Sequence, residues 1–390
     1  MKMKTTQNLN LFFPKPLQDK LSQREAEQAL RSLKLTPQDL VDFSSNDYLG
    51  FSKNESITDL VYKKRDDYKN QDQSASGSRL LTGNYPMIDD FEIYLQSFYE
   101  CDAATVFNSG YDANLGLLSS IAQRQDLILY DELSHASIRD GIALSKAKAY
   151  KFKHNDINDL ESKLIRFKNQ FKTIYVVTEH VFSMDGDRSE VDDILKVCKT
   201  HNAYFILDEA HAVGVLNANG CSQQSQDIFA RVVTFGKAFG SHGAAVLGSI
   251  NLKTYLINFA KSFIYTTAPT SEITARNWAS HLYLEKNTGE FDVLRSLIER
   301  FKDEICSNNL STYFIESDSA IQSCVVSGNE QVKSISNQLQ LQGFDVRPIL
   351  SPTVPKGKER LRFCLHSFNK REDISLALRK LNLFLKQRLS

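Results

Sequence analysis

The first candidates for chemistry in this chain are polar residues that stand just after apolar runs. Asp208 ends Tyr204-Phe205-Ile206-Leu207, Ser183 lies beyond Ile174-Tyr175-Val176-Val177, and His135 follows Leu127-Ile128-Leu129-Tyr130 and Asp131. Thr234 and Lys237 follow Val232-Val233 in the glycine-flanked stretch Thr234-Phe235-Gly236-Lys237-Ala238-Phe239-Gly240, and Ser109-Gly110-Tyr111 follows Ala104-Thr105-Val106-Phe107. A lysine among glycines can form a Schiff base, and a carboxylate can keep a pyridine nitrogen protonated. A histidine can contact a ring, and the amides at a helix start can hold a phosphate. Each residue also has a plainer reading: a solvated lysine, an aspartate capping a helix, a structural histidine. Taken together they suit pyridoxal phosphate.

Other chemistries are excluded by what is missing. Asp208-Glu209-Ala210-His211 spells a helicase motif, but no G-x-x-x-x-G-K-[ST] phosphate loop accompanies it, since Gly243…Gly248 is followed by Ser249. No two glycines are spaced G-x-G, and H-E-x-x-H, G-x-S-x-G and zinc-like cysteine spacings are absent. Metal ligation is not expected. Forty-seven basic residues balance 47 acidic ones, which argues against a nucleic-acid partner. The longest stretch free of Asp, Glu, Lys and Arg, residues 210–226, is rich in Asn, Gln and Ser, so no membrane span is expected. Lys2 and Lys4 precede only the short cluster Leu11-Phe12-Phe13, too little for a signal peptide. Six scattered cysteines (Cys101, Cys198, Cys221, Cys306, Cys324, Cys364) read as reduced thiols of a cytoplasmic protein.

The elements that must position these residues are legible as a pattern. Of 390 residues, 42% are apolar, enough for a large core. Residues 1–42 read as an arm with one amphipathic helix, roughly 17–33. From residue 43 to 285, near-continuous apolar runs of four to six residues alternate with helical stretches. That is the signature of a mostly parallel sheet covered on both faces, an α/β domain. Asn155-Asp156 and Ser189 are expected helix N-caps. Residues 286–390 read as a smaller α+β domain joined by the arm, with helices at 289–307, 331–342 and 371–389 and strands near 320–326 and 361–365.

Nine segments taken in order carry a family resemblance: residues 43–50 (FSSNDYLG), 108–111 (NSGY), 133–137 (LSHAS), 152–156 (FKHND), 178–187 (TEHVFSMDGD), 208–211 (DEAH), 234–240 (TFGKAFG), 264–267 (IYTT) and 352–362 (PTVPKGKERLR). The chain resembles the α-oxoamine synthases, pyridoxal-phosphate enzymes of the aspartate-aminotransferase fold (fold type I). Within that family the resemblance leans to the 8-amino-7-oxononanoate synthases of biotin biosynthesis. It departs from the family at Ala212-Val213, Ile88, Asn369 and the stretch 74–78, departures that bear on fine substrate preference and efficiency and leave the lysine, the aspartate and the ring-contacting histidines in place.

The resemblance implies a set of roles. Lys237 would carry the cofactor and move the substrate α-proton, Asp208 would pair with the pyridine nitrogen, and His135 would stack on the ring and border the substrate. Ser183 and His211 would approach the ring hydroxyl. Thr234 and the Gly110-Tyr111 backbone would hold the phosphate, and Thr266 or Thr267 would reach the phosphate of a neighbouring subunit, because family members are homodimers. Arg362, rather than Arg360, would bind the amino-acid carboxylate, while Arg31 and Thr353 would contact the acyl substrate. The implied reaction is a decarboxylative condensation of L-alanine with a pimeloyl thioester of coenzyme A or acyl carrier protein. The alternative within the family is a glycine C-acetyltransferase.

Overall fold

A computed structural model describes residues 13–33, 35, 39–69, 74–220 and 225–387; Lys2, Lys4, Leu11, Phe12, Cys221 and the last turn expected at 388–389 lie outside them. Val41–Asp42 (β1) is followed by seven strands: Ala103–Phe107 (β2), Leu127–Asp131 (β3), Lys148–Phe152 (β4), Ile174–Glu179 (β5), Tyr204–Asp208 (β6), Ala230–Thr234 (β7) and Ala244–Gly248 (β8). These seven form one sheet in the order β2-β8-β7-β6-β5-β3-β4. All neighbours run parallel except around β8, which is antiparallel to both β2 and β7. The central strands are buried on both faces, which is why they read as unbroken apolar runs rather than alternating ones. One face packs Leu117, Leu118, Ile138 and Leu256 from helices against Ile128, Val177 and Val232, and the other packs Leu160, Leu164, Ile194 and Leu195 against Leu129, Val176 and Leu207. The outer strand β4 leaves Lys148 and Lys151 exposed, charges that discourage pairing at a bare edge. This is the fold-type-I architecture expected from the sequence.

Beyond this sheet lie Ile321–Val325 (β9), Phe344–Asp345 (β10), Arg347–Ile349 (β11) and Arg360–Cys364 (β12). β9, β12 and β11 make a three-stranded antiparallel sheet, and β10 pairs in parallel with β1. The helices Gly289–Ser307, Asn329–Leu341 and Arg371–Gln387 pack on it through Leu294, Phe301, Val332, Leu339, Leu378 and Leu381.

Two local expectations are corrected. The N-terminal helix spans Lys15–Ala26 and buries no side chain, so it is neither as long nor as core-facing as the amphipathic pattern at 17–33 suggested. Gln28 turns left-handed (φ 52°) and Ala29 closes back on the Arg24 carbonyl, which leaves Arg31 beyond the helix. Ser189 caps nothing: its hydroxyl donates to the Glu179 carbonyl at 2.7 Å, and the next helix starts after Glu190. Asp156 does cap, accepting from the Asp159 amide. Among the described residues no helix is long and apolar enough to cross a membrane, and no His/Cys/Asp/Glu group could hold a metal.

A tight hairpin ties the two sheets. Val181 bridges Arg188, and Phe182 donates its amide to Asp187 O at 3.0 Å. At its tip Gly186 adopts φ 86°, where a Cβ would fall 2.1 Å from the Ile321 carbonyl. Ser317 and Ser319 hydroxyls both donate to Gly186 O at 2.8 Å, and Ser323 donates to Met184 O at 2.8 Å.

Arg231 on β7 is fully buried, with Nε 2.5 Å from Glu209 Oε2 and its other nitrogens on the Tyr99 and Asn219 carbonyls. Burial pushes the Glu209 carboxyl up, but Arg231 and His180 outweigh it and hold it below its ordinary value. Removing one partner strands a buried charge, so Arg231→Ala should cost about 3–5 kcal/mol, read as a lower urea midpoint at unchanged slope.

Candidate active site

The carboxyl ends of the parallel strands converge on one cavity of about 300 Å³. β5 ends at Glu179 and β6 at Asp208, directly paired in register. β7 ends at Thr234, and the turn that follows brings Lys237 over the same edge. That turn is closed by Phe235 N to Gly243 O (2.9 Å), Ser241 N to Phe235 O (2.8 Å) and Gly240 N to Lys237 O (2.9 Å). Gly240 is required there: its φ is 58° and a Cβ would meet the Ser52 amide at 2.3 Å. Opposite, Ser109 caps the Gly110–Ile121 helix through the Asp112 amide. By helix geometry the Gly110 and Tyr111 amides have no partner inside their own helix. Gly110 lies so close to Thr234 that a Cβ would stand 2.5 Å from its methyl carbon.

A hydrogen-bond relay links the carboxylate to the histidine. Asp208 Oδ2 accepts from Asn114 Nδ2 at 2.7 Å, and Asn114 Nδ2 also donates to Ser137 Oγ at 3.0 Å. Ser137 Oγ lies 2.8 Å from His135 Nδ1, and the Ser137 amide donates to the same nitrogen at 3.3 Å. His135 Nδ1 is therefore the acceptor, which assigns the ring proton to Nε2. Glu179 Oε1 accepts from the His135 amide at 2.6 Å and fixes the turn.

Electrostatics follow from two carboxyls and one amine gathered at one cavity. Burial, then Asp208, raises the Glu179 carboxyl well above its ordinary value. Burial pulls the Lys237 amine down to about 8, against the opposing pull of Asp208 and Glu179. Burial also lowers His135, partly offset by Asp208, and lowers His211 strongly with help from Lys237 and Arg362. Both rings are neutral at pH 7.

The structure gathers some expected residues and separates others. Lys237, Asp208, His135, His211, Thr234, Gly110 and Tyr111 line the cavity together. Ser183 does not line it; its carbonyl accepts from Arg362 Nε at 2.7 Å. Arg362 is buried just behind Asn46, a lining residue whose Oδ1 accepts from Nη2 at 3.0 Å, and its Nη1 points at Cys364 Sγ at 2.9 Å. Arg360, two residues earlier on the same strand face, is already paired with Asp185. Thr266 and Thr267 stand off the cavity, held by Asn108 Nδ2 through Thr266 Oγ1 (3.1 Å) and Thr267 O (2.8 Å). Arg31 and Thr353, 322 positions apart, meet with Nη2 and Oγ1 3.1 Å apart. Sequence reasoning missed Glu179, Asn114 and Tyr48, whose hydroxyl sits 2.7 Å from His211 Nδ1. Glu179 carried the same strand-end signal as Asp208 and was findable. Asn114, one helical turn past Gly110, gave no signal of its own.

Residues 38–381 match the family model for aminotransferase class I and II. The chain belongs to that family. It is 37% identical over 388 residues to 8-amino-7-oxononanoate synthase of Emericella nidulans, covering 92% of each chain. The enzyme of the same name from Methylobacillus flagellatus is 36% identical over 87% of this chain and 85% of its own. Among solved structures, 8-amino-7-oxononanoate synthase of Francisella tularensis superposes with TM-score 0.76 at 29% identity, over 91% of this chain and 100% of that one. Sphingomonas wittichii serine palmitoyltransferase shares the fold, with TM-score 0.86 at 24% identity over 96% and 98%. Within the class I and II aminotransferases the chain is an α-oxoamine synthase, an acyl-transferring enzyme whose cofactor is pyridoxal phosphate.

The residues present fit that cofactor. A lysine of lowered pKa, a buried carboxylate, a histidine and two helix-start amides with no partner in their own helix come together at one small cavity. In the cofactor-free protein, Lys237 should react with an aldehyde and borohydride at a rate that rises with pH, half-maximal near pH 8, because only the free amine is nucleophilic. Exposed lysines titrate near 10.4. Asp208→Asn should move the midpoint lower, since the carboxylate that raises it is gone; peptide mass spectrometry across pH measures both.

Proposed function

We propose that the protein condenses L-alanine with a pimeloyl thioester, releasing carbon dioxide and the free thiol carrier and giving 8-amino-7-oxononanoate for biotin biosynthesis. The relatives of that name, with 36–37% identity along most of the chain, support the substrate class. The observation that carries the acyl half is the Arg31–Thr353 contact: a cation and a hydroxyl held 3.1 Å apart can receive the far carboxyl or ester of a pimeloyl chain. An acetyl group would have no use for it.

When bound, pyridoxal phosphate supplies the electron sink that lets an amino acid give up its α-proton and its carboxylate. The chain's residues do the rest. Lys237 Nζ holds the cofactor and then takes and returns the α-proton, a task suited to an amine near pH 8. Asp208, fixed by Asn114 and the Ala210 amide, holds the positive charge of the ring nitrogen in place. His135, with its tautomer fixed by Ser137, covers one ring face and borders the substrate. His211 and Ser183 serve the ring hydroxyl side. The Gly110 and Tyr111 amides with Thr234 take the phosphate, and Thr266 or Thr267 of a second copy completes that grip in a homodimer. Arg362 binds the alanine carboxylate as a bidentate pair until carbon dioxide leaves. The enzyme works in the cytoplasm, with coenzyme A or acyl carrier protein as the thiol carrier.

A carbon-dioxide release assay that crosses alanine, glycine and serine with acetyl and pimeloyl thioesters tests the reading. Alanine with the pimeloyl thioester should be the best pair; a preference for glycine with acetyl-CoA makes the enzyme a glycine C-acetyltransferase instead. Arg31→Ala should raise the apparent KM for the pimeloyl thioester roughly ten- to a hundredfold, the loss of one charge-assisted contact of about 1.5–3 kcal/mol. Alanine binding, followed through the visible band, should not change.

A further inference from the structure

His154 stands in the turn after β4, outside the lining of the cavity. Its Nδ1 lies 3.0 Å from Asp131 Oδ1 and its Nε2 2.6 Å from Asp187 Oδ2. A neutral imidazole has one N–H and satisfies one carboxylate; both bonds together take the imidazolium. Burial opposes the charge, but the two carboxylates outweigh it and lift the ring to about 10. Asp131 also accepts from the Leu133 and Asn155 amides, Asn155 Nδ2 donates to Asp187 Oδ2, the His154 amide donates to Glu132 Oε1, and the ring packs edge-on against Phe182 at 4.4 Å.

Both carboxylates belong to segments that reach the site. Asp131 opens the turn that ends at His135. Asp187 closes the hairpin whose tip offers the Ser183 carbonyl to Arg362, the Met184 carbonyl to Ser323 of the second sheet and the Gly186 carbonyl to Ser317 just ahead of it. We infer that His154 is a positioning residue: by bridging Asp131 and Asp187 it clamps the 181–188 hairpin to the turn bearing His135, and so aims Arg362 at the carboxylate of the amino-acid substrate. This rests on the reading of Arg362 given above.

Two variants separate the clamp from that reading. Asp187→Asn weakens only the hairpin side; His154→Gln removes the cation. In the cofactor-free protein, hydrogen–deuterium exchange of the amides at 182–187 should accelerate about tenfold in both, the loss of one charge-assisted hydrogen bond, while β5 and β6 exchange as in wild type. In the loaded enzyme the apparent KM for the amino acid should rise about tenfold, with kcat within about threefold and the cofactor's visible band unchanged. Unchanged exchange at 182–187 in both variants overturns the clamp. Accelerated exchange with an unaltered KM overturns its link to Arg362, provided Arg362→Lys by itself raises that KM. If Arg362→Lys leaves the KM unaltered, the carboxylate-binding role of Arg362 is what fails. Should His154→Gln not fold, Asp187→Asn alone yields both readouts.

Discussion

The register of β5 against β6 sets Glu179 beside Asp208, two carboxyl groups at the ends of adjacent buried strands. The rest of the site is built around that adjacency. Two like charges in a space of low dielectric cannot both stay ionised without a cation. Here burial and the neighbouring Asp208 raise the Glu179 carboxyl, which spends its oxygen on the His135 amide, while Asp208 is braced by Asn114 and lines the cavity with Lys237. Slipping the pairing by one residue would turn every side chain of the strand to the opposite face and dismantle this arrangement at once. The apolar, buried interiors of these strands specify the register; the chemistry sits on their last residues.

A second constraint couples this edge to the three-stranded sheet. The hairpin 181–188 presents the Ser183, Met184 and Gly186 carbonyls, and Arg362, Ser323, Ser317 and Ser319 close on them. Backbone acceptors are rigid where side chains would flex, so a hairpin held at base and tip transmits position between the sheets with little slack. Gly186 allows this approach, because a side chain there would strike the Ile321 carbonyl.

Much of this was legible in the residues. Apolar runs at 104–107, 127–130, 174–177, 204–207, 232–234 and 244–247 gave six of the seven main strands within one or two residues, because burial on both faces leaves no polar interruption. β4 was not read, since an edge strand with Lys148, Tyr150 and Lys151 exposed lacks that signature. Lys237, Asp208, His135 and Gly110 announced themselves as polar or small residues at strand ends and helix starts. The N-terminal helix was overextended because its leucine spacing fits a helix, whereas its length was settled by the turn at Gln28 and by the absence of a surface to bury. Ser183, Thr266 and Thr267 were placed by family motif, which says nothing of which atom points where. Asn114, Tyr48 and the partners of Arg362 depend on contacts between distant segments and leave no local trace.

The antiparallel strand β8 also sets a timetable. Among the described strands β2 pairs only with β8, with Phe107 opposite Ala244, a separation of roughly 140 residues. At a synthesis rate of about 5–20 residues per second, β2 leaves the ribosome on the order of ten to thirty seconds before its partner exists. For that interval Ala104, Val106 and Phe107 form a strand with two open edges. The nascent chain thus depends, for part of its birth, on whatever shields unpaired strands in the cell, and the sheet closes only when nearly two thirds of the protein has been made.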